Sequence, residues 1–202
     1  MSRKVFDVLA STGGIVVVVV LLVAGSLLTW GHSFVNSNVH DQLAQQQIYF
    51  PPQSAFAHAK AGTEITPSMI PSVSQYAGQQ LLTGEQAKAY ADHFIGVHVK
   101  SIAGGKTYAQ VSSAAQADPT NAALKAQAQS LFQGQTLRGL LLEAYAFWQM
   151  GQIAFVAAIS SFVLAGVMLV LSILGFWHLS KVGETEEVLV TRKQSSLKPA
   201  MA

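Results

Sequence analysis

Two long apolar runs lie near opposite ends of the chain and restrict what it can fold into. The first covers residues 8–30 and the second residues 153–177, and neither contains Asp, Glu, Lys, Arg or His. Each exceeds the roughly 20 residues that a helix needs to cross a bilayer core about 30 Å thick. Because backbone groups cannot go unpaired in lipid, both runs are predicted to be transmembrane helices, despite five consecutive valines in the first.

The charge content of the chain also excludes some classes of protein. Charged residues make up 11% of the 202 residues, against roughly 25% in ordinary soluble domains. The net charge is +2, and no Lys or Arg cluster alternates with aromatic residues, so a nucleic-acid-binding surface is not expected. Cysteine is absent, which excludes disulfides, thiolate metal sites, a cysteine nucleophile and acylation at a lipoprotein cysteine.

The first apolar run also has features of a secretory signal peptide, since Arg3 and Lys4 precede it. The run is long for the apolar core of a signal peptide, however. Its end reads AGSLLTWGHS and lacks a convincing cleavage site between small residues. An uncleaved membrane anchor is therefore favoured over a cleaved signal peptide.

The distribution of basic residues predicts the orientation in the plasma membrane. Lys and Arg near the ends of the two runs number five on the side of the termini and one on the other side: Arg3, Lys4, Lys181, Arg192 and Lys193 against Arg138. The positive-inside bias then places both termini in the cytoplasm. Aromatic rings that prefer the membrane surface mark the outer interface at Trp30 and Trp148 and the inner interface at Trp177.

These observations divide the chain into five segments. Residues 1–7 are the cytoplasmic N-terminus, 8–30 the first transmembrane helix, 31–152 an extracytoplasmic helical domain, 153–177 the second transmembrane helix, and 178–202 a cytoplasmic tail. The tail is predicted to be disordered; the alternative is a docking peptide around residues 184–192. The predicted fold class is all-α, with the two transmembrane helices extended into a small outer domain.

Local signals predict the helices of the outer domain. Thr83 and Gln86 have the spacing of a capping box, and Gly104-Gly105 ends the helix that they begin. The other expected boundaries are a stop at Pro51-Pro52, irregular chain over 53–73, helix starts at Thr107, Asp118-Pro119 and Thr136, and a break at Gly134. Apolar residues recur at helical spacing on two segments beside the membrane: Phe34, Val35, Val39 and Leu43, and Leu137, Leu140, Leu141, Ala144 and Phe147 or Trp148.

No arrangement of residues predicts catalysis. Five of the six histidines fall in the outer domain, at His32, His40, His58, His93 and His98. A metal pair on a helix needs a spacing of three or four, whereas His93 and His98 are five apart. The chain also lacks a G-x-S-x-G elbow and a phosphate-binding G-x-x-x-x-G-K motif. We therefore expect no catalytic residue, no metal site and no cofactor; a metal site assembled from distant segments remains an alternative.

Glu143 is the unusual carboxylate of the outer domain, because it lies within LLLEAYAFW just before the second run. It is interpreted as a residue at the water interface, and the alternative is a contact with a partner protein. Arg138 lies five residues away on the same helix, so the two side chains are not expected to be close partners.

Small residues predict how the transmembrane helices pack. Ala157, Ser161 and Ala165 form a ladder with a spacing of four, and Gly14 and Gly25 lie on the first helix. Such surfaces let helices approach closely in lipid. The stripe is expected to face protein, with Phe162 on a different face of the helix. Its partner is the other span of this chain, a second copy or another membrane protein.

Four stretches carry a resemblance to a known family: MSRKVFDVLAS, HDQLAQQQIYFPP, GEQAKAYADHFI and TLRGLLLEAYAFWQMGQIAF. Together they resemble an uncharacterised two-span membrane protein family of actinobacteria. Members are sometimes labelled aromatic ring-opening dioxygenase, which implies a soluble enzyme with non-haem iron held by two histidines and a carboxylate. No such motif is present to carry over, so the resemblance implies a topology rather than an activity.

Two functions are compatible with these features. The leading hypothesis is a non-enzymatic accessory or scaffold subunit of the plasma membrane, which works through contacts with itself or with another membrane protein. The alternative is a sensor whose outer domain binds a ligand. Because the tail is short and contains no recognisable output domain, such a sensor would signal through a separate partner.

Overall fold

The computed structural model describes residues 3–181 of the chain, and helices make up most of them. No β-strand forms within these residues, and the only β-type pairing in this range is one antiparallel bridge between Tyr49 and Gln80. The α-helices are α1 (Arg3–Gln46), α2 (Gln53–Ala57), α3 (Ile70–Val73), α4 (Gly84–Tyr90), α5 (Gly96–Ala103), α6 (Tyr108–Ala117) and α7 (Ala122–Leu179). The predicted tail lies outside the described residues from position 182 onward.

Helices α1 and α7 contain the two apolar runs and are long and apolar enough to cross a membrane. Their apolar stretches are mostly exposed, unlike the core helix of a soluble protein. With 44 and 58 residues, the helices measure about 66 and 87 Å along their axes. Both therefore continue well beyond the 20 or so residues that a bilayer core accommodates.

The chain separates into two units. Among the described residues, one consists of residues 3–28 and 156–181, and the other of residues 29–155; we call them the two-helix unit and the helical unit. The main core of the helical unit is built from buried side chains of α1, α7 and the segments between them: Val39, Leu43, Phe50, Phe56, Ile65, Met69, Val73, Leu81, Ala87, Ala91, Phe94 and Leu141. A second, smaller core contains Val99, Ala103, Val111 and Leu131.

The predicted start signals at Thr83 and Thr107 are confirmed. Each threonine side chain accepts a hydrogen bond from the backbone of the residue three positions on, and the glutamine there reaches back to the threonine N–H. The stop at Gly104 is also confirmed, because this residue adopts a left-handed conformation with φ of +57°, which glycine reaches without a side-chain clash.

The helix after Thr83 is not a regular α-helix over its whole length. Residues Ala91–Ile95 form one π-helical turn between α4 and α5. The backbone N–H of Gly96 donates to the carbonyl of Ala91, five residues earlier. This wider turn contains one more residue than an α-helical turn, and no local signal in the sequence predicts it.

Several predicted boundaries are wrong. Asp118 ends α6 instead of starting the next helix, and α7 begins at Ala122 with the side chain of Asn121 accepting from the Leu124 N–H at 3.1 Å. Gly134 and Thr136 do not interrupt α7. Gly134 lies where a Cβ would come within 2.6 Å of Val99 Cγ2, so this glycine permits close packing against α5 within a continuous helix.

Two further boundaries differ from the expectation near the prolines. Helix α1 ends at Gln46, before Pro51, because Gln47 has a left-handed φ of 52°. The segment 53–73 is more ordered than expected: it contains α2, a 3₁₀ turn at Pro67–Met69 and α3. Pro67 and Pro71 occupy first-turn positions in these elements, where the missing N–H of proline costs nothing.

Candidate functional site

The two-helix unit contains the residues predicted to pack the transmembrane helices. Buried and half-buried residues recur along both helices at intervals that alternate between three and four positions. They are Ser11, Gly14, Val18, Leu21 and Gly25 on α1, and Ala158, Ser161, Ala165, Met168 and Ser172 on α7. This spacing is the pattern of two helices that pack side by side with a slight left-handed twist. Ala165 is 2% exposed, whereas Ala157 is only half-buried and lies at the edge of the contact.

Glycine and serine face each other twice in this contact. A Cβ added to Gly14 would overlap the hydroxyl of Ser172, and a Cβ added to Gly175 would overlap the hydroxyl of Ser11. Both serines are almost fully buried, with exposures of 5% for Ser11 and 3% for Ser172. The absence of a side chain at positions 14 and 175 therefore makes room for the two hydroxyls in their present rotamers and lets the helices lie close together.

Phe162 was expected on a different face from the stripe; it lies off the buried row of α7, but its ring still reaches the first helix. A Cβ added to Gly25 would come within 2.9 Å of two carbon atoms of the Phe162 ring. The ring is 40% exposed, so it covers the glycine from the edge of the contact. A spacing of four residues identifies small residues on one side of a helix. It does not identify a neighbouring aromatic ring, such as that of Phe162, which extends from the edge of this side to the other helix.

The three tryptophans have different surroundings. Trp30 and Trp177 are 67% and 60% exposed, and the ammonium of Lys181 lies 4.0 Å from the Trp177 ring centre. Trp148 is half-buried in the helical unit, where Gly84 packs directly against its Cβ and ring. Trp148 thus holds the start of α4 against α7, a contact that the assignment to the membrane surface did not anticipate.

The helical unit contains an apolar groove between the C-terminal part of α1 and the middle of α7. Its volume is about 470 Å³, and it is lined by Phe34, Val35, Asn38, Val39, Gln42, Leu43, Gln46, Ile48, Leu137, Leu140, Leu141, Glu143, Ala144 and Phe147. Most of these residues belong to the two apolar faces recognised in the sequence. The buried members, such as Val39, Leu43 and Leu141, form its floor as part of the main core.

Large apolar side chains on the walls of the groove remain exposed. Phe34, Leu140 and Phe147 are 55%, 59% and 48% exposed. They lie in the helical unit, and Phe34 is four residues beyond Trp30, or about 6 Å along the helix. Apolar residues that stay uncovered next to one another outside the predicted bilayer core are typical of a contact surface.

The polar part of the groove is acidic or neutral. Glu143 is its only charged lining residue, and the remaining polar positions are the amides of Asn38, Gln42 and Gln46. The Gln42 amide already donates to Asn38 at 2.7 Å. The groove therefore offers an exposed carboxylate and no positive charge to a molecule that enters it.

Four of the histidines in the helical unit contact protein groups. The Nδ1 atoms of His32, His58 and His98 donate to backbone carbonyls at 2.8–2.9 Å, and His40 lies 3.2 Å from the carboxylate of Asp41. Within residues 3–181 no group of three or more His, Asp or Glu side chains is arranged to hold a metal ion.

An ion-pair cluster joins the π-helical turn to α7. Arg138 Nη2 donates to Asp92 Oδ1 at 2.7 Å, and Lys88 Nζ donates to Asp92 Oδ2 at 2.7 Å. The hydrogen bond from Lys88, with further help from Arg138, holds the pKa of Asp92 below its ordinary value, although partial burial acts in the opposite direction. The sequence missed this cluster, because Asp92 and Arg138 are 46 residues apart and no local pattern connects them.

No protein-family model, curated protein or solved structure matches the chain.

Proposed function

We propose that this protein is a non-enzymatic accessory or scaffold subunit of the plasma membrane, which acts through contact between its outer helical domain and another membrane protein. In this proposal α1 crosses the bilayer through residues 8–30 and α7 through residues 153–177, with both termini in the cytoplasm. The length and apolarity of both helices and the excess of Lys and Arg near the chain ends support this topology. The resemblance to a two-span family of actinobacteria implies the same arrangement.

The observation that carries the proposal is the groove between α1 and α7. Its walls present Phe34, Leu140 and Phe147 to the outside while its floor belongs to the core. Leu140 and Phe147 are seven residues apart on one face of α7, so they line the groove in the direction of the helix axis. A helix from a partner can lay apolar residues at the same spacing into such a surface.

The charge of the groove indicates which kind of helix fits. Glu143 lies between Leu140 and Phe147, and no Lys or Arg lines the groove. The occupant that we propose is therefore an amphipathic segment of another membrane protein, with two apolar residues one or two turns apart and a Lys or Arg between them. The carboxylate of Glu143 then selects the partner by charge more than it adds affinity.

Site-specific crosslinking in intact cells tests this proposal. A photo-crosslinking amino acid replaces Leu140 or, separately, Phe147, and both positions are expected to capture the same single membrane protein. The matched control replaces Phe132, which is also an exposed aromatic residue of α7, at 51%, but does not line the groove. We expect Glu143→Arg to lower the yield of the adduct severalfold, and the purified partner to bind the wild-type protein saturably.

Three outcomes would contradict the proposal. The first is capture of the same protein from position 132 with equal yield. The second is capture from positions 140 and 147 of lipid only. The third is capture of a second copy of this chain only, which would make the groove a site of self-association.

The sensor hypothesis remains the second candidate, since the groove volume of about 470 Å³ lies within the range of roughly 300–1,000 Å³ common for small-molecule sites. Native mass spectrometry of the protein released from detergent distinguishes the two functions. A small molecule retained by the wild type and lost in Leu140→Arg supports the sensor, whereas an unliganded mass together with a defined crosslinked partner supports the scaffold.

A further inference from the structure

We propose that a second concavity of the helical unit, separate from the apolar groove, binds the phosphate group of a small anionic ligand. This pocket has a volume of about 370 Å³ and lies where the end of α5, the turn after it and α7 meet. Three cationic side chains line it, Lys100, Lys106 and Arg138, against the single carboxylate of Asp92. We call it the cationic pocket.

The positive charge of the cationic pocket is not neutralised by the chain. Asp92 already accepts hydrogen bonds from both Lys88 and Arg138. The ammonium groups of Lys100 and Lys106 form no ion pair with any carboxylate among residues 3–181. Both lysines are exposed at the mouth of the pocket. An incoming anion therefore meets two lysines without an ion pair and one arginine that is bonded to Asp92.

Arg138 is positioned in advance to bind an anion. Its side chain is 35% exposed, and Asp92 fixes the guanidinium through Nη2. Its Nε is buried and has no hydrogen-bond acceptor in the described residues. Because this Nε is enclosed by protein, an entering anion would contact the exposed part of the guanidinium. The planar group of arginine matches the oxygens of phosphate.

Backbone geometry brings the lysines together beside Arg138. Gly104 and Gly105 both have left-handed φ values, +57° and +81°, and the reversal that they make places Lys106 on the same pocket as Lys100. Gly96 lies beside the arginine, since a Cβ there would be at ordinary contact distance, 3.5 Å, from Arg138 Nε. Thr107, which also lines the pocket, begins the ten-residue helix α6, whose positive end adds to the attraction.

These features indicate a ligand with a compact charge of about −2 or more. A phosphate group uses the arginine and both lysines at once, whereas a single carboxylate presents only two oxygens. The phosphate group can belong to a soluble phosphate ester or to an anionic lipid headgroup, and the two sources share the same chemistry at this pocket.

Binding measurements on the full-length protein in mild detergent test the inference. The probes are inorganic phosphate and pyrophosphate, and their binding is measured by isothermal titration calorimetry. We expect saturable binding that is stronger for pyrophosphate, and a loss of at least about tenfold in the double variant Lys100→Ala/Lys106→Ala, as expected when two charge-assisted contacts are removed. The second arm titrates the protein in detergent with mixed micelles that contain phosphatidic acid, whose terminal phosphate group reports a lipid source of the phosphate.

The matched control is Lys60→Ala/Lys125→Ala, which removes the same charge from two exposed lysines of the same unit outside the cationic pocket. This variant is expected to bind the probes like the wild type, and circular dichroism verifies that both double variants fold. Binding of pyrophosphate or of phosphatidic acid micelles that depends on Lys100 and Lys106 supports the inference and identifies the source. Absence of saturable binding in both arms, or an equal loss in the control variant, overturns it.

Discussion

Asp92 and Arg138 form an ion pair, with 2.7 Å between Oδ1 and Nη2, across 46 residues of sequence. The pair fastens the π-helical turn to α7. The side chain of Asp92 is 23% exposed and also bonds Lys88, so the carboxylate is held from two sides.

The stability that this cluster contributes depends on pH. Because the pKa of Asp92 is lowered in the folded protein, its contribution is complete above the ordinary Asp pKa of about 3.9 and is lost as the pH falls through the folded value. We expect Asp92→Asn to unfold at a lower temperature than the wild type at pH 7, by about 1–3 kcal/mol in stability. The difference in melting temperature should shrink below about pH 4, and a difference that stays constant down to pH 2 would contradict the assignment.

The contact between Gly14 and Ser172 predicts a sharp difference between neighbouring glycines. A Cβ at Gly14 meets the Ser172 side chain, whereas a Cβ at Gly13 has no atom within 4 Å. Gly14→Leu is therefore expected to separate the two helices and to lower resistance to unfolding by dodecyl sulfate, while Gly13→Leu stays close to the wild type. Equal effects of the two substitutions would show that the glycine face does not touch the second helix.

Adjacent residues of α7 allow a similar comparison in the smaller core. Leu131 is fully buried, whereas Phe132 is 51% exposed. We expect Leu131→Ala to destabilise the helical unit by about 2–5 kcal/mol, through lost burial and the cavity that remains. Phe132→Ala, although it removes a larger side chain, is expected to cost less than half as much in thermal or urea unfolding.

Labelling of introduced cysteines tests the proposed topology, since the natural chain has none. Ser101 is exposed in the helical unit, so Ser101→Cys is expected to react with an impermeant maleimide added to intact cells. Ser195→Cys, in the predicted tail, is expected to react only after the cells are opened. The reverse labelling pattern would place the outer domain in the cytoplasm and contradict the proposed function.

The sequence predicted those parts of the fold that short-range chemistry determines. Thr83 and Gln86 lie within one turn, and Gly104 ends a helix through its own backbone freedom, so both boundaries can be recognised without knowledge of distant residues. The helix break predicted at Gly134 is absent for the opposite reason. Val99 packs against this glycine from another helix, and the tertiary contact outweighs the weak helix propensity of glycine.

The candidate sites were less predictable than the fold. The sequence predicted the apolar faces of the groove. The helical spacing alone does not distinguish Val39 and Leu141, which are buried, from Phe34 and Leu140, which remain exposed. The cationic pocket combines three basic residues spread over 39 positions of sequence, from Lys100 to Arg138. Only the packing of α5 against α7 brings them together.

The π-helical turn at Ala91–Ile95 acts as a one-residue phase correction. In a regular α-helix Val99 would be rotated about 80° from Ala91, but the extra residue brings Val99 back to within about 20° of the same stripe. The helix can therefore supply Ala87 and Ala91 to one core and Val99 and Ala103 to the other. Deletion of the exposed His93 would remove the surplus residue and leave this alignment intact, whereas deletion of Ser101 would turn Ala103 away from the core by about 100°.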